Sequence, residues 1–364
     1  MVSRTSLGFG PFADAFDHLL RDRPDLVPAR VTRVDRGRYR LAGAVAGVGE
    51  LAGRLRHDLA GIDLPTVGDW VAIRDVDDAD AVALVHHVLP RRTALIRRAA
   101  GLTGAAQVVA ANLDVCFIVT SANRDANPRR LERYLTAVWD SGAAPVVVVN
   151  KIDLGGDVAA LVAALAAVAP GVPIEAVSAV TGDGLAPLRA HLAAGPGGAV
   201  RTVGLVGSSG VGKSSLVNRL LGVDRQATAG LDDDERGRHT TTRRELVVLP
   251  GGGVLIDTPG MRELGLVEDA GGVDTSFADL AALADACRFR DCLHDGEPGC
   301  AVADAVRRGA LDPARLRAFH RLQRELAASE RRRDPALADR AKRRWKSTHM
   351  AMRARMKVDP KLRR

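Results

Sequence analysis

Three glycines, a lysine and a serine hydroxyl stand at the spacing that wraps a chain around a phosphate in Gly207-Ser208-Ser209-Gly210-Val211-Gly212-Lys213-Ser214. The apolar run Thr202–Val206 before it reads as a buried strand, and Ser215–Leu221 after it reads as a helix. Glycines let several backbone N–H groups converge on one anion, and the positive end of the following helix faces the same point. Lys213 can then reach β- and γ-phosphates, and the Ser214 hydroxyl can ligate Mg²⁺, with Ser215 beside it.

Other short stretches address the base. Asn150-Lys151-Ile152-Asp153 follows the apolar run Pro145–Val149. The Asp153 carboxylate can accept from the N1–H and 2-amino group of guanine. Adenine offers neither donor, and a site built on such hydrogen bonds can reject the wrong base by ~10⁴–10⁵-fold. Ser178-Ala179, after the strand-like Pro173–Val177, can present a backbone N–H to guanine O6. Asp257-Thr-Pro-Gly260 follows Val254–Ile256, where Asp257 suits water-mediated contact with Mg²⁺ and Gly260 suits sensing of the γ-phosphate.

The order of these stretches is unusual. In the ordinary GTPase order the phosphate loop comes first and Asn-Lys-x-Asp later; here the guanine loop and Ser178-Ala179 precede it, so the domain is circularly permuted. Residues 222–244, with Gly237-Arg-His-Thr-Thr-Thr242, fill the place of a first switch. A threonine there must close over Mg²⁺ and the γ-phosphate. Thr241 is the favoured candidate, although three adjacent threonines leave the register open. The position after Gly260 that often holds a water-orienting glutamine is Met261. An apolar side chain cannot polarise water, so intrinsic hydrolysis is expected to be slow, and His239 is the nearest candidate to assist.

A second constellation is Cys287-x₄-Cys292-x-His294-x₅-Cys300. Three thiolates and an imidazole suit tetrahedral Zn²⁺ with all four positions filled by protein, a structural site rather than a catalytic one. The polar segment between these ligands cannot fold on an apolar core of its own.

The elements that must position these groups follow from patterning. Residues 1–27 form an extension with a short helix around Phe9, Phe12 and Phe16. Residues 28–99 hold five short apolar or alternating runs, at 29–34, 38–41, 50–55, 68–73 and 83–88, which predict an OB-like β-barrel. Arg36, Arg38, Arg40, Arg54 and Arg56 lie at strand-like spacing on it, and Arg91, Arg92, Arg97 and Arg98 follow it; arginine suits phosphate contacts. Residues 100–112 read as a linker. Residues 113–275 read as the α/β GTPase domain, with covering helices at 129–141, 157–169 and 184–194, the second so rich in alanine that close packing is expected. Residues 276–330 read as a mainly helical zinc-binding domain and 331–364 as a basic tail. The chain carries net charge +8, yet Glu330–Arg364 has fourteen Lys and Arg against four Asp and Glu, so the rest is slightly acidic. A cationic stretch with one aromatic, Trp345, suits RNA. Apolar content of 46% supports packed cores, no apolar run is long enough to span a bilayer, and a cytoplasmic protein is expected. Cys116 lies in a strand-like run and reads as a core thiol.

Taken together, Val67-Gly-Asp-Trp-Val71, the guanine and phosphate loops, Gly237–Thr242, Asp257–Gly260 and Asp291-Cys-Leu-His-Asp-Gly-Glu-Pro-Gly-Cys300 resemble the ribosome small-subunit-dependent GTPase A family, also called RsgA or YjeQ. The resemblance covers residues 28 to about 310. It implies a bacterial late-stage assembly factor that binds the small ribosomal subunit near its decoding region, hydrolyses GTP when stimulated by that subunit, and uses GTP/GDP, Mg²⁺ and one structural Zn²⁺. Binding to the subunit and its rRNA through barrel, zinc domain and tail, with no membrane and as a monomer, is the expected partnership. Two other classes remain to compare with it. One is a nucleotide-gated RNA-binding module for which hydrolysis is only timing; the other is a zinc-delivering GTPase, disfavoured by the closed ligand set.

Overall fold

The computed structural model describes residues 2–44, 46–74, 82–98, 106–122, 126–193, 195, 199–222, 244–257 and 277–333. These fall into two compact units, Met1–Gly265 and Leu266–Arg364.

The first unit is organised by two sheets joined through one long strand. Strand β1 (Leu26–Asp35) pairs with β2 (Arg38–Gly43), β2 with β3 (Gly47–Leu51), β3 with β5 (Ala83–Val88), β5 with β4 (Trp70–Arg74), and β4 back onto β1. This closes an OB-like five-stranded barrel, with a bulge in β1 between Val31 and Arg33. Alternate side chains point inward, so Ala29, Val31, Tyr39, Leu41, Val71, Ile73 and Val85 fill it.

One expected strand is shorter than its sequence pattern implied. Glu50–Leu55 pairs only as far as Leu51, and helix α2 (Gly53–Asp58) follows. The run Arg54–Asp58 offers no alternation to bury, so it leaves the barrel wall. Arg54 and Arg56 therefore do not share a strand with Arg38 and Arg40. Arg56 and Arg38 both pair with Glu50, at 3.2 and 2.9 Å, and Arg54 lies 3.7 Å from Asp58. Arg36 sits in the turn after β1 with φ of 46°.

The parallel sheet runs β10 (Ile174–Ala176), β9 (Ala144–Asn150), β8 (Val115–Ser121), β11 (Thr202–Val206), β13 (Val254–Asp257), with β12 (Glu245–Val248) antiparallel at its edge. Arg33 of β1 pairs with Glu245 of β12 and so links barrel to sheet. Near-continuous apolar strands need cover on both faces. Cys116 and Ile118 of β8 face α3 (Pro128–Asp140) and α4 (Val158–Ala166); Val115, Phe117 and Val119 face α5 (Leu185–Leu192) and α6 (Lys213–Leu221). Complete burial pushes the Cys116 thiol pKa up, as befits an inert core group. The alanine-rich α4 packs through Leu161, Val162 and Leu165, while its alanines are exposed rather than the source of close packing. Only Leu165 is buried there, because alanine favours the helix without needing a partner surface.

The segment read as a linker is instead built into the unit. Residues Ala106–Ala111 form β7, paired antiparallel with β6 (Ala94–Arg98). Val108, Val109, Ala110 and Ala111 are buried, and that apolar run overrode the loop signal of the preceding glycines. Gly68 shows why the strand lies so close: a Cβ there would stand 2.1 Å from the Ala111 carbonyl oxygen, at φ of +98°. The adjoining Asp69 is fully buried and accepts two hydrogen bonds from Arg91, at 2.9 and 2.7 Å, and one from the Thr66 N–H at 2.8 Å. Arg91, one of the candidate phosphate contacts, is thus committed within the fold. Arg92 pairs with Asp114 at 3.3 Å.

The N-terminal extension folds onto the same junction. Helix α1 (Ala13–Asp22) and the turn before it bring Phe9 and Phe12 onto buried Trp70, with ring centroids 4.8 and 6.2 Å away. Beside them Arg30 is 1% exposed. Its guanidinium donates to the carbonyls of Leu7 and Gly68 and to Thr202 Oγ1, joining extension, barrel and sheet. Burial lowers its pKa to about 10, so it stays charged at neutral pH. Replacing Arg30 by Leu removes the donor to the Leu7 carbonyl and to Thr202 Oγ1, while the Gly68 carbonyl keeps Asn112 Nδ2 at 3.1 Å. We expect unit 1 to lose about 3 kcal/mol, at ~1–3 kcal/mol for each unsatisfied group with partial relaxation, read as a lower urea midpoint with unchanged m.

The second unit holds α7 (Ala278–Ala284), α8 (Ala301–Arg307) and α9 (Pro313–Arg333) around Phe277, Leu280, Val302, Ala305, Phe319 and Leu322. Arg315 is buried over the Phe277 ring at 4.7 Å and forks onto Asp279 at 2.5 and 2.7 Å. Among the described residues no helix is long and apolar enough to cross a membrane.

Candidate functional site

All strands of the central sheet except β12 run parallel, so the segments that follow them emerge on one edge. That edge receives Asn150 at the end of β9, Ser178 two residues after β10, Gly207 directly after β11 and Asp257 at the end of β13. Loops at the carboxyl ends of parallel strands are where such sheets bind ligands.

The phosphate loop is held in shape by its glycines. Gly207, Gly210 and Gly212 have φ of +142°, +82° and +92°. A Cβ on Gly207 would lie 2.2 Å from the Val119 carbonyl oxygen, and one on Gly212 would lie 2.3 Å from Asn150 Nδ2. Lys213 opens α6 and folds back over the loop, its Nζ donating to the carbonyls of Gly207 at 2.7 Å and Ser208 at 2.6 Å. Val211 is buried and anchors the turn, while Ser209, Ser214 and Ser215 are exposed at the mouth.

Asn150 ties the base-reading loops to this one. It is 1% exposed; its Nδ2 donates to the Val211 carbonyl at 2.9 Å and its Oδ1 accepts from the Ala179 N–H at 3.1 Å. The Ala179 N–H expected to face guanine O6 is thus directed at Asn150 here. Lys151 takes a left-handed conformation, φ 65°, which turns the chain sharply after β9. Asp153 is exposed, and its carboxylate accepts from Ser178 Oγ at 2.6 Å; that hydroxyl in turn accepts from the N–H groups of Val180 and Thr181. Leu154 and Val180 flank the pair as exposed apolar side chains, 61% and 73%, a setting suited to the flat face of a base. Asp257 is buried at the end of β13. His239, Thr241, Gly260 and Met261 lie outside the described residues.

Two arginines join the site that the motifs did not point to. Arg130, in the first turn of α3, donates to Ser208 Oγ at 2.7 Å. Asn127 caps that helix and Pro128 starts it, so the signal was a helix beginning just past the β8 edge. Arg219, near the end of α6, donates to the Thr181 carbonyl at 3.0 Å and packs where a Gly182 Cβ would be.

The four ligand atoms of Cys287, Cys292, His294 and Cys300 lie within 4.8 Å of one another. His294 Nδ1 is 3.6 Å from Cys287 Sγ and 3.5 Å from Cys300 Sγ, and the two sulfurs are 4.0 Å apart. Tetrahedral zinc with bonds of about 2.3 Å to sulfur and 2.0 Å to nitrogen puts its ligand atoms about 3.5–3.8 Å apart, so the donor set fits that ion. His294 has φ of 61°, a turn held by Glu297, whose carboxylate accepts from the N–H groups of Leu293 and Asp295. Burial lowers the His294 pKa and favours the neutral ring a metal requires. Cys300 also caps α8 by accepting from the Ala303 N–H.

A phosphate loop, a guanine-reading loop tied to it, and a permuted strand order define a circularly permuted P-loop GTPase. The RsgA GTPase family model matches residues 88–267. The Small ribosomal subunit biogenesis GTPase RsgA of Opitutus terrae is 46% identical, over 98% of this chain and 99% of that protein. The protein of that name from Syntrophotalea carbinolica is also 46% identical, over 84% of this chain and 85% of the relative. Among solved structures, YjeQ from Thermotoga maritima superposes with a TM-score of 0.58 at 24% identity, covering 83% of this chain and 98% of that one. YloQ, a circularly permuted GTPase, superposes equally well, at 24% identity and 84% and 96% coverage. The chain belongs to the RsgA GTPase family.

Proposed function

We propose that this chain hydrolyses GTP on the small ribosomal subunit during its late assembly, that the subunit stimulates the reaction, and that hydrolysis releases the factor. The observation that carries the nucleotide part is Asn150, which binds the phosphate loop, the guanine loop and the Ser178-Ala179 loop into one unit. The subunit part is supported by the names of relatives matched along nearly their whole length.

Asp153, oriented by Ser178, takes the N1–H and 2-amino group of guanine; Gly207–Ser215 wraps the phosphates. Ser214 and, through water, Asp257 would hold Mg²⁺, which would supply charge neutralisation at the phosphates. Lys213 leaves the Gly207 and Ser208 carbonyls for the phosphates. Thr241 and Gly260 sense the γ-phosphate. With Met261 where a glutamine often stands, the chain lacks a water-orienting group of its own there, and contact with the subunit brings His239 to that task. Cys287, Cys292, His294 and Cys300 would hold zinc as a structural ion. The protein works in the cytoplasm as a monomer, with rRNA contacts from the barrel, the zinc unit and the basic tail.

The test is His239→Ala, with hydrolysis and nucleotide affinity measured separately. Subunit-stimulated hydrolysis should fall by about 10²–10³-fold, the range for loss of one general-base or transition-state group, with the Kd for GDP unchanged. An unchanged stimulated rate would remove His239 from the mechanism. Co-sedimentation with a non-hydrolysable GTP analogue but not with GDP would support coupling of hydrolysis to release; equal binding in both states would exclude it.

A further inference from the structure

The zinc loop exposes apolar groups that its own unit has no use for. Phe289 is 42% exposed and Leu293 66%, and both lie between the first and last metal ligands. Arg288 and Arg290 flank Phe289, and both are exposed. The loop is tied together by its own contacts. The Arg288 N–H donates to the Gly299 carbonyl at 3.1 Å, and the Cys292 N–H donates to the Phe289 carbonyl at 3.3 Å. The Arg288 stem packs so tightly on Gly299 that a Cβ there would stand 3.0 Å from Arg288 Cβ, and its guanidinium lies over the Phe289 ring at 5.4 Å. Helix α9 borders the same loop: His320 Nε2 donates to the Leu293 carbonyl at 2.9 Å, and Arg324 Nε donates to the His320 carbonyl at 3.1 Å. Arg317, Arg321 and Arg324, spaced along α9 around His320, are exposed.

We propose that Phe289, flanked by Arg288 and Arg290 on a loop tied to the arginine-bearing helix α9, is a stacking platform for an unpaired base of RNA. The proposal rests on the association with the small subunit proposed above and names a contact within it. Three features favour RNA over a protein groove. Arginine already stacks on one face of the ring, and guanidinium–aromatic layers accept a further planar π system. Arg288 and Arg290 stand beside it and Arg317, Arg321 and Arg324 are exposed on α9, against Asp291 and Asp295 exposed on the loop, while Glu297 is engaged by backbone N–H groups. The backbone that carries the ring is already tied by the Arg288–Gly299 and Cys292–Phe289 hydrogen bonds, which lowers the ordering cost of stacking.

The experiment measures affinity of the full-length, zinc-loaded protein for purified small ribosomal subunits, with a non-hydrolysable GTP analogue, at several salt concentrations. Phe289→Ala and Phe289→Leu should each weaken binding about tenfold, within the span for loss of one stacked base. Phe289→Trp should bind as tightly as the parent. The double variant Arg288→Gln/Arg290→Gln should lower the salt slope by about 0.7–0.9 for each phosphate it no longer neutralises, whereas Phe289→Ala leaves the slope unchanged. Zinc content and basal GTP hydrolysis stay at the parental level throughout. If Phe289→Leu binds normally while Phe289→Ala does not, the ring fills an apolar protein contact and the stacking proposal is overturned. If no Phe289 variant changes affinity, this surface is not an interface. A parent protein that fails to bind small subunits at all overturns the functional reading itself, a result distinct from either.

Discussion

Replacing Cys300 by Ser, or stripping the metal with a strong chelator, will unfold the C-terminal unit and leave guanine-nucleotide binding in place. The unit's core is a handful of side chains around Phe277, Val302 and Phe319, too few to hold a polar fourteen-residue metal loop by burial alone. Cys300 stands at two junctions, lying within reach of His294 Nδ1 and capping α8 through the Ala303 N–H. Structural zinc supplies ~10–16 kcal/mol of apparent binding free energy in small metal-folded peptides, and most of it should be lost with one thiolate. The expected result is release of one zinc per chain, loss of the helical signal from residues 277–333, and an unchanged Kd for GDP. Retention of that helical signal after complete metal removal would mean that the apolar core suffices and that the cluster serves another purpose.

Gly207→Ala will cost guanine-nucleotide affinity about 10³-fold, about 4 kcal/mol. The added methyl would stand 2.2 Å from the Val119 carbonyl oxygen, which belongs to the neighbouring strand rather than to a mobile side chain. With φ at +142°, the backbone is also in a region that alanine avoids. Either β8 and β11 separate or the loop opens, and opening turns the Gly207–Gly212 amides away from the phosphates. A control separates the site from the scaffold: Gly210→Ala meets nothing within 4 Å, and its cost should come only from its positive φ. Isothermal titration with GDP on both variants gives the comparison. Equal losses would show that crowding at Val119 is not the cause.

The clustering of the candidate nucleotide-site motifs was legible because each motif closes an apolar strand, and parallel strands deliver their ends to one edge. Cys287, Cys292, His294 and Cys300 were legible because ligand spacing in sequence survives as proximity in a tight loop. What stayed hidden were contacts between distant segments. Asn150 reads as a base-binding residue by motif, yet its amide joins Val211 to Ala179, partners 61 and 29 residues away. Arg91 reads as a surface cation by type, but Asp69 claims it; Arg130 meets Ser208 only because α3 starts beside the phosphate loop. Residues 106–111 were lost to the glycines before them, although their run of small apolar side chains is what a buried strand requires. Glu50–Leu55 erred in the other direction: two apolar residues at strand spacing were not enough to keep a polar run in the barrel wall. Local pattern gives elements and motifs, while the pairing of charges and amides across the fold appears only in three dimensions.

The most direct measurement is GTP hydrolysis by the pure protein alone, with small subunits and with large subunits, at one fixed salt concentration. A slow basal rate raised many-fold by small subunits alone is the predicted result. A rate that neither subunit changes would contradict it: the GTPase would stand, but the barrel, the zinc loop and the basic tail would need another ligand.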